Sequence, residues 1–173
     1  MIYIVRHGET DWNVEKRIAG QTDIPLNDTG IKQAMEVAKK LKDIKFDYVF
    51  SSPLKRAYQT AKIIRNENII IDNRLIERYN GKLEGKLKSE IENISDFNNV
   101  KDNIYEVESI ESIQNRVKDF FEEIKREYPN KNILIVTHAG VGINIRYYFE
   151  GEPKNGDYSN YKIGNCEIIK YEN

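Results

Sequence analysis

The chain has 173 residues, with 27 lysine and arginine side chains against 28 aspartate and glutamate side chains. This balance gives a formal net charge of −1 and no bulk basis for binding nucleic acid or an acidic membrane surface. One cysteine excludes an intramolecular disulfide and a cysteine-rich zinc site, and with two histidines far apart in sequence we expect no metal.

The length fits a single domain spanning residues 1–173. The amino-terminal MIYIVRHG lacks the positively charged and long apolar regions of a signal peptide. No apolar run approaches the roughly 20 residues of a membrane span. We therefore expect a soluble protein of the cytoplasm that has no membrane partner.

Five short apolar runs predict five strands. In chain order they are MIYIV at the start, FDYVF from Phe46, NIIID from Asn68, NILIVT from Asn132 and CEIIKY from Cys166. The first and fourth runs are almost continuously apolar, which is typical of strands covered on both faces.

Helical patterns lie between these runs. SSPLKRAYQTAKII predicts a helix with Ser52 at the N-cap and Pro53 at the first helical position. Two other helices carry one apolar face each, formed by Ile31, Ala34, Ala38 and Leu41 and by Ile110, Ile113, Val117, Phe120 and Ile124. Strands that alternate with helices predict an α/β fold, a three-layer α/β/α sandwich with a mostly parallel central sheet.

The stretch 78–108 differs from the rest because it is polar, rich in asparagine and weakly periodic. It is predicted to be a subregion that covers a site, or a mobile loop above one. Lys82, Lys86 and Lys88 within it could meet an acidic substrate, but a solvated run of charges is the simpler interpretation.

Both histidines come directly after a predicted buried strand, and each has a glycine close behind, in His7-Gly8 and His138-Ala139-Gly140. Ligands of open α/β sheets bind outside the carboxyl ends of the strands. Glycine lets the backbone approach such a ligand and turn its amides towards it. We therefore expect the two histidines to share one site rather than to be two separate core residues.

Arginines accompany these histidines. Arg6 precedes His7, and Arg56 lies early in the helix after the second strand, again at a carboxyl end. Guanidinium groups match phosphate oxygens bidentately, and Asn13 could add a neutral donor. The phosphate loop GxxxxGK[ST] and the pattern GxGxxG are both absent, which argues against a nucleotide cofactor. The expected ligand is a phosphoryl dianion.

With these motifs the sequence resembles the histidine phosphatase superfamily, in its phosphoglycerate-mutase-like branch. RHGETDWN, GQTDIPLNDTG, SSPLKRAYQTA, ESIESIQNRV and THAG follow the family's motifs in the right order over most of the chain. One departure is Val107, where the family has the glycine of its GES segment, and it puts the local turn in doubt.

The resemblance implies roles. His7 would be the nucleophile that takes the phosphoryl group, while Arg6, Arg56 and His138 would hold its oxygens and neutralise its charge. Contacts to the substrate would come from further residues of the matching motifs, namely Asn13, Gln21, Thr22, Ala139 and Gly140. Since these groups supply the positive charge, no metal and no cofactor would be needed.

The resemblance also assigns the proton donor. Glu77, in LIERYNGKLEG, matches the family's glutamate after the third strand, and it would protonate the leaving alkoxide. Glu9 also lies in a family motif, but a second carboxylate beside the phosphate would repel it, so we expect Glu9 to be structural.

Three functions stay open at this point. The first is a phosphatase that hydrolyses a small phosphorylated metabolite through phosphohistidine. The second is a cofactor-dependent phosphoglycerate mutase, disfavoured because Tyr79 and Asn80 break that branch's ERHYG and because the covering segment is short. The third is a non-catalytic phosphate-binding module. The expected partner is a small phosphomonoester, and the chain could be a monomer or a homodimer.

Overall fold

The computed structural model describes residues 1–91 and 104–173. Its strands are β1 (Ile2–Arg6), β2 (Tyr48–Ser51), β3 (Ile69–Ile71), β4 (Ile133–Thr137) and β5 (Ile168–Tyr171). Its α-helices are α1 (Asp11–Val14), α2 (Asp28–Lys40), α3 (Lys55–Ile64), α4 (Lys88–Ile91), α5 (Ile110–Glu127) and α6 (Ala139–Glu150). Single 3₁₀ turns cover Asn73–Leu75, Gly81–Leu83, Lys154–Gly156 and Tyr158–Tyr161.

The five strands form one sheet in the order β3-β2-β4-β1-β5. The first four are parallel to one another, and β5 pairs antiparallel with β1 at one edge. All five predicted strands are therefore present, and the prediction of a mostly parallel sheet in an α/β fold is confirmed.

Alternate residues of the central strands pack into two separate cores, one on each face of the sheet. On one face Ile4 and Ile135 pack with α5 and α6, through residues such as Phe120 and Val141. On the other face the cluster joins Val5, Leu134 and Val136 to Val37, Ala57 and Ala61 of α2 and α3. Helices thus cover both faces, which explains the continuous apolar runs of β1 and β4.

The start of α3 differs from the prediction. The helix begins at Lys55 with Leu54 at its N-cap, and that cap makes no side-chain hydrogen bond. Ser52 instead continues the line of β2, because its N–H donates to the carbonyl of Val136 over 3.1 Å. The Ser52 hydroxyl is used elsewhere, within the site described below.

Part of the predicted covering subregion 78–108 lies outside the described residues, namely 92–103. Its described portions include the 3₁₀ turn Gly81–Leu83 and the short α4. Across residues 1–91 and 104–173, no helix combines the length and apolar character that crossing a bilayer requires. That residues 1–173 form a single domain stays a prediction.

Candidate active site

The two histidines meet at the carboxyl edge of the sheet. The parallel register pairs Arg6 with Thr137, so the residues that follow each strand are neighbours. The N–H of His7 donates to the carbonyl of Thr137 over 2.9 Å, and the two imidazole centroids lie 5.1 Å apart. Residues 131 positions apart in sequence therefore share one site, as the sequence predicts.

Hydrogen bonds determine the tautomer of the His7 ring. Its Nδ1 lies 2.7 Å from the carbonyl oxygen of Gly8, which can only accept, so Nδ1 carries the proton. Its Nε2 accepts from Nε of Arg56 over 3.3 Å and so presents a lone pair. Burial, followed by the charges of Arg56 and Arg6, holds the pKa of His7 well below its ordinary value of 6.5. The ring is therefore neutral.

Arg56 is held tightly beside that lone pair. Its side chain is almost fully buried, with 1% exposed. Two of its nitrogens donate to the backbone carbonyls of Gly20, over 2.7 Å, and of Thr22, over 2.9 Å, while Nε faces His7. The loop that contains Gly20 and Thr22 therefore sets the orientation of the guanidinium group.

Arg6 provides the second cation beside His7. One terminal nitrogen donates to the carbonyl of Ile163 over 2.8 Å. Its buried Nε has no hydrogen-bond partner within the described parts of the chain. Burial lowers the pKa of both Arg6 and Arg56, but a guanidinium group keeps its proton in proteins. Two fixed positive charges therefore lie beside the His7 ring.

His138 lies next to His7 but is fully covered. Its Nε2 makes a 2.7 Å hydrogen bond with the hydroxyl of Ser52, and its Nδ1 has no partner among residues 1–91 and 104–173. Burial, then the positive charge of Arg56, lowers the pKa of His138 well below 6.5. The ring is therefore neutral, so the positive charge expected from His138 is supplied by the arginines. Contact between His138 and a phosphoryl oxygen stays a prediction.

The side chain of Glu77 lies at the amino terminus of α6, the helix that begins directly after His138. Its carboxylate accepts hydrogen bonds from the backbone N–H groups of Arg78 (2.8 Å), Gly140 (3.1 Å) and Val141 (3.3 Å). Gly140 permits this approach, since a Cβ there would lie 2.6 Å from the Glu77 carboxylate. The predicted acid is therefore positioned by the turn that follows β4.

A cavity of about 560 Å³ opens beside these groups. His7, Asn13, Ala139 and Gly140 line it, as predicted for residues that contact a substrate. Among the described residues that line it, Glu77 is the one acid, and the cations are Arg6, Arg17, Arg56, Arg78, Lys88 and Lys162. A volume of this size suits a small metabolite, and the lining favours an anion.

Gln21 and Thr22 are placed differently from the prediction, because neither lines the cavity. The Gln21 side chain donates to the carbonyl of Glu77 over 2.9 Å. The Thr22 hydroxyl donates to the carboxylate of Glu84 over 2.6 Å. Both side chains hold loops together. Glu9 is also structural, as expected, since its carboxylate accepts from the side-chain amide of Asn27 over 3.1 Å.

Sequence reasoning missed three residues of this region. The sequence predicts Ser52 as a helix cap and Lys88 as part of a solvated run of charges, and it predicts no role for Glu84. Glu84 lies in LEG, at the end of LIERYNGKLEG, and the local sequence gives no signal of its long-range contacts. Among the described residues no group of three or more metal-binding side chains comes together.

Comparison with known proteins agrees with this geometry. The profile of the histidine phosphatase superfamily (branch 1) matches residues 2–172. The chain therefore belongs to the histidine phosphatase superfamily, and the prediction of that family is confirmed.

Curated relatives carry phosphatase and mutase names. The chain is 41% identical over 159 residues to the uncharacterized phosphatase PhoE of Bacillus subtilis, covering 88% of this chain and 79% of the relative. It is 36% identical over 162 residues to phosphoglycerate mutase-like protein 4 of Arabidopsis thaliana, covering 86% and 69%.

Solved structures agree as well. YhfR of Bacillus stearothermophilus superposes with a TM-score of 0.85 at 30% identity, covering 99% of this chain and 91% of that one. Phosphoserine phosphatase of Entamoeba histolytica, solved with 3-phosphoglyceric acid, has a TM-score of 0.81 at 32% identity, covering 96% and 87%. With the family, the phosphatase names confirm that the chain is an enzyme of the phosphatase kind.

Proposed function

We propose that this enzyme hydrolyses a small phosphomonoester through a phosphohistidine formed on His7. One observation carries the proposal. The Nε2 of His7 presents a lone pair next to the buried Arg56 and close to the half-buried Arg6, while its Nδ1–H donates to the Gly8 carbonyl. A neutral imidazole beside fixed positive charge is suited to attack a phosphoryl dianion.

In the first step the Nε2 lone pair attacks phosphorus, so that the N–P bond forms and the ester O–P bond breaks. Arg6 and Arg56 stabilise the charge on the phosphoryl oxygens during this in-line transfer. The bond from Nδ1–H to the Gly8 carbonyl stabilises the positive charge that the phosphorylated ring acquires. The leaving alkoxide takes a proton from Glu77.

In the second step water attacks the phosphorus of phosphohistidine and gives a proton to the Glu77 carboxylate. The N–P bond breaks, its electron pair returns to Nε2, and inorganic phosphate leaves. The three backbone N–H donors hold the Glu77 carboxylate in place for this step.

The rest of the cavity supports a substrate that is small and anionic. Within the described parts of the chain Lys88 and Lys162 line the cavity without an ion pair to an acid, whereas Arg17 pairs with Glu15. Asn13, Ala139 and Gly140 would contact the same substrate, because they line the cavity beside His7. His138, whose ring lies next to that of His7, would contact the oxygens of the phosphoryl group that His7 carries.

A mutase is the second candidate, because curated relatives such as phosphoglycerate mutase-like protein 4 carry that name. Hydrolysis of an aryl phosphate by the wild-type enzyme, and its loss in His7→Ala, is the expected result. Turnover of 3-phosphoglycerate only with a bisphosphoglycerate primer would support the mutase instead. Binding of inorganic phosphate without any turnover would support a non-catalytic module. The location in the cytoplasm, and the choice between monomer and homodimer, stay predictions.

A further inference from the structure

Glu84 lies outside the cavity lining, and its carboxylate accepts four hydrogen bonds from described residues. One carboxylate oxygen accepts from the N–H groups of Gln21, over 2.8 Å, and of Asn80, over 3.1 Å. The other accepts from the N–H of Thr22, over 3.0 Å, and from its hydroxyl, over 2.6 Å. One carboxylate thus joins the 20–22 loop to the 77–80 segment.

Both segments carry parts of the site. The carbonyls of Gly20 and Thr22 hold two nitrogens of Arg56, and the third nitrogen faces the Nε2 of His7. The 77–80 segment begins with Glu77, the proposed acid. A continuous set of contacts therefore leads from Glu84 through the 20–22 loop and Arg56 to the nucleophile.

The backbone around Glu84 is fitted to it. Gly20 has a φ of +49°, and a Cβ there would lie only 2.1 Å from the Glu84 carboxylate. Glycine therefore permits both the left-handed turn and the close approach of the carboxylate. The carboxylate takes the position that a larger residue at 20 would occupy.

We propose that Glu84 is a positioning residue, which acts on the reaction through Arg56. The inference rests on the proposed function, because it assumes that Arg56 stabilises the transferring phosphoryl group. Without the carboxylate, three backbone N–H groups and one hydroxyl lose their acceptor and the 20–22 loop is freed. A small displacement of its carbonyls would then misalign the guanidinium group in the transition state.

A double-mutant cycle tests this. Glu84→Ala should lower kcat/KM for an aryl phosphate about 100-fold in the wild-type background. In the Arg56→Ala background the same change should cost less than about threefold, because the group through which Glu84 acts is already gone. Glu84→Gln keeps one acceptor oxygen and should lose only about tenfold.

Asp47→Ala is the matched control. Its carboxylate also accepts a hydrogen bond from a backbone N–H, that of Asn132, over 2.9 Å. Asp47 precedes β2 and therefore lies at the amino ends of the parallel strands, away from the site. It should leave kcat/KM per folded molecule unchanged. Unfolding midpoints of all variants show whether Glu84→Ala folds. If it does not, Glu84→Gln and Thr22→Val, which removes the hydroxyl that donates to Glu84, go through the same cycle.

Equal losses in the two backgrounds, or no loss in the wild-type background, would overturn the positioning role. Those results leave the proposed function intact, since the wild-type enzyme would still hydrolyse the ester. Failure of the wild-type enzyme to hydrolyse any phosphomonoester would instead reject the proposed function itself.

Discussion

The regions around His7 and His138 share their strand context and burial but differ in the group that contacts each Nε2 atom. Each histidine follows a buried parallel strand, each is almost fully buried, and the pKa of each is held well below 6.5 mainly by burial. The Nε2 of His7, however, meets the buried guanidinium group of Arg56, whereas that of His138 bonds to the hydroxyl of Ser52. Of these two histidines, His7 lines the cavity and His138 does not.

The two histidines therefore have similar positions in the fold but different chemical surroundings. The strand order and the register bring both rings to the same edge of the sheet, and the same sequence context precedes each. The neighbouring group then decides what each ring can do. A lone pair beside a cation and a cavity can react, whereas a covered ring bonded to a hydroxyl does not present a lone pair to the cavity.

Substitution of each histidine gives the largest contrast. His7→Ala should lower kcat for an aryl phosphate by about 10⁴-fold or more, because the nucleophile is lost. His138→Ala should cost about 10²- to 10³-fold, because a polar group beside the phosphoryl site is lost but the nucleophile stays. Steady-state kinetics on folded variants checks both. Equal losses for the two variants would remove the distinction between the rings.

Removal of the acid comes next in size. Glu77→Gln should lower kcat for an alkyl phosphate about 10³-fold, since the alkoxide then leaves unprotonated. A nitrophenyl phosphate, whose leaving group needs no proton, should be far less affected in its first step. Burst kinetics that follow nitrophenolate release separate this step from the hydrolysis of phosphohistidine. A loss of burst rate with the nitrophenyl phosphate as large as the loss of kcat with the alkyl phosphate would contradict the acid role.

Gly8 and Gly140, which lie one and two residues after the two histidines, give a smaller contrast when each is replaced by alanine. At Gly8 a Cβ would lie 2.5 Å from the carbonyl oxygen of Gly30, whereas at Gly140 it would meet the Glu77 carboxylate. Gly8→Ala should therefore lower the free energy of unfolding by about 2 kcal/mol, because backbone cannot yield cheaply. Gly140→Ala should fold normally and lose about tenfold in kcat, through displacement of Glu77.

Urea unfolding and steady-state kinetics of the two glycine variants measure both effects. A stable Gly8→Ala enzyme, or a fully active Gly140→Ala enzyme, would show that these contacts relax more easily than their geometry suggests.

The smallest effect concerns pH. Both histidines stay neutral in the fold, whereas an unfolded histidine binds a proton as the pH falls below about 6.5. The unfolded state then binds more protons, so the stability falls with acidification below pH 6.5. Each buried histidine contributes a slope of at most about 1.4 kcal/mol per pH unit.

His138→Ala should remove one such contribution from the pH dependence. Urea titrations between pH 7 and pH 5 provide the measurement, with the slope of the wild-type protein as reference. An unchanged slope in the variant would show that His138 gains its proton in the folded state as readily as in the unfolded chain.

Much of this architecture follows from local patterns. The apolar runs locate all five strands, and the strand ends locate His7 and His138, because burial and the parallel sheet leave a regular record in the sequence. The contacts of Glu84 could not be found in this way. They join residues about 60 positions apart, and nothing near Glu84 in the sequence sets it apart from other glutamates.

The same limit explains the other differences. Ser52 is a good N-cap by residue type, but its partner His138 lies 86 positions away. Gln21 and Thr22 lie in a family motif, which places them near the site without showing which way their side chains are used. Contacts between segments that are distant in sequence determine these roles, and such contacts cannot be predicted from the local pattern of a single sequence.

The central claim is that His7 alone takes the phosphoryl group. Rapid quench of the wild-type enzyme during turnover, under alkaline conditions that preserve phosphohistidine, allows the modified residue to be located by peptide mass spectrometry. The account predicts phosphate on His7, in the wild-type enzyme and in His138→Ala. Phosphate on His138, or turnover in which no phosphorylated protein forms at all, would contradict it.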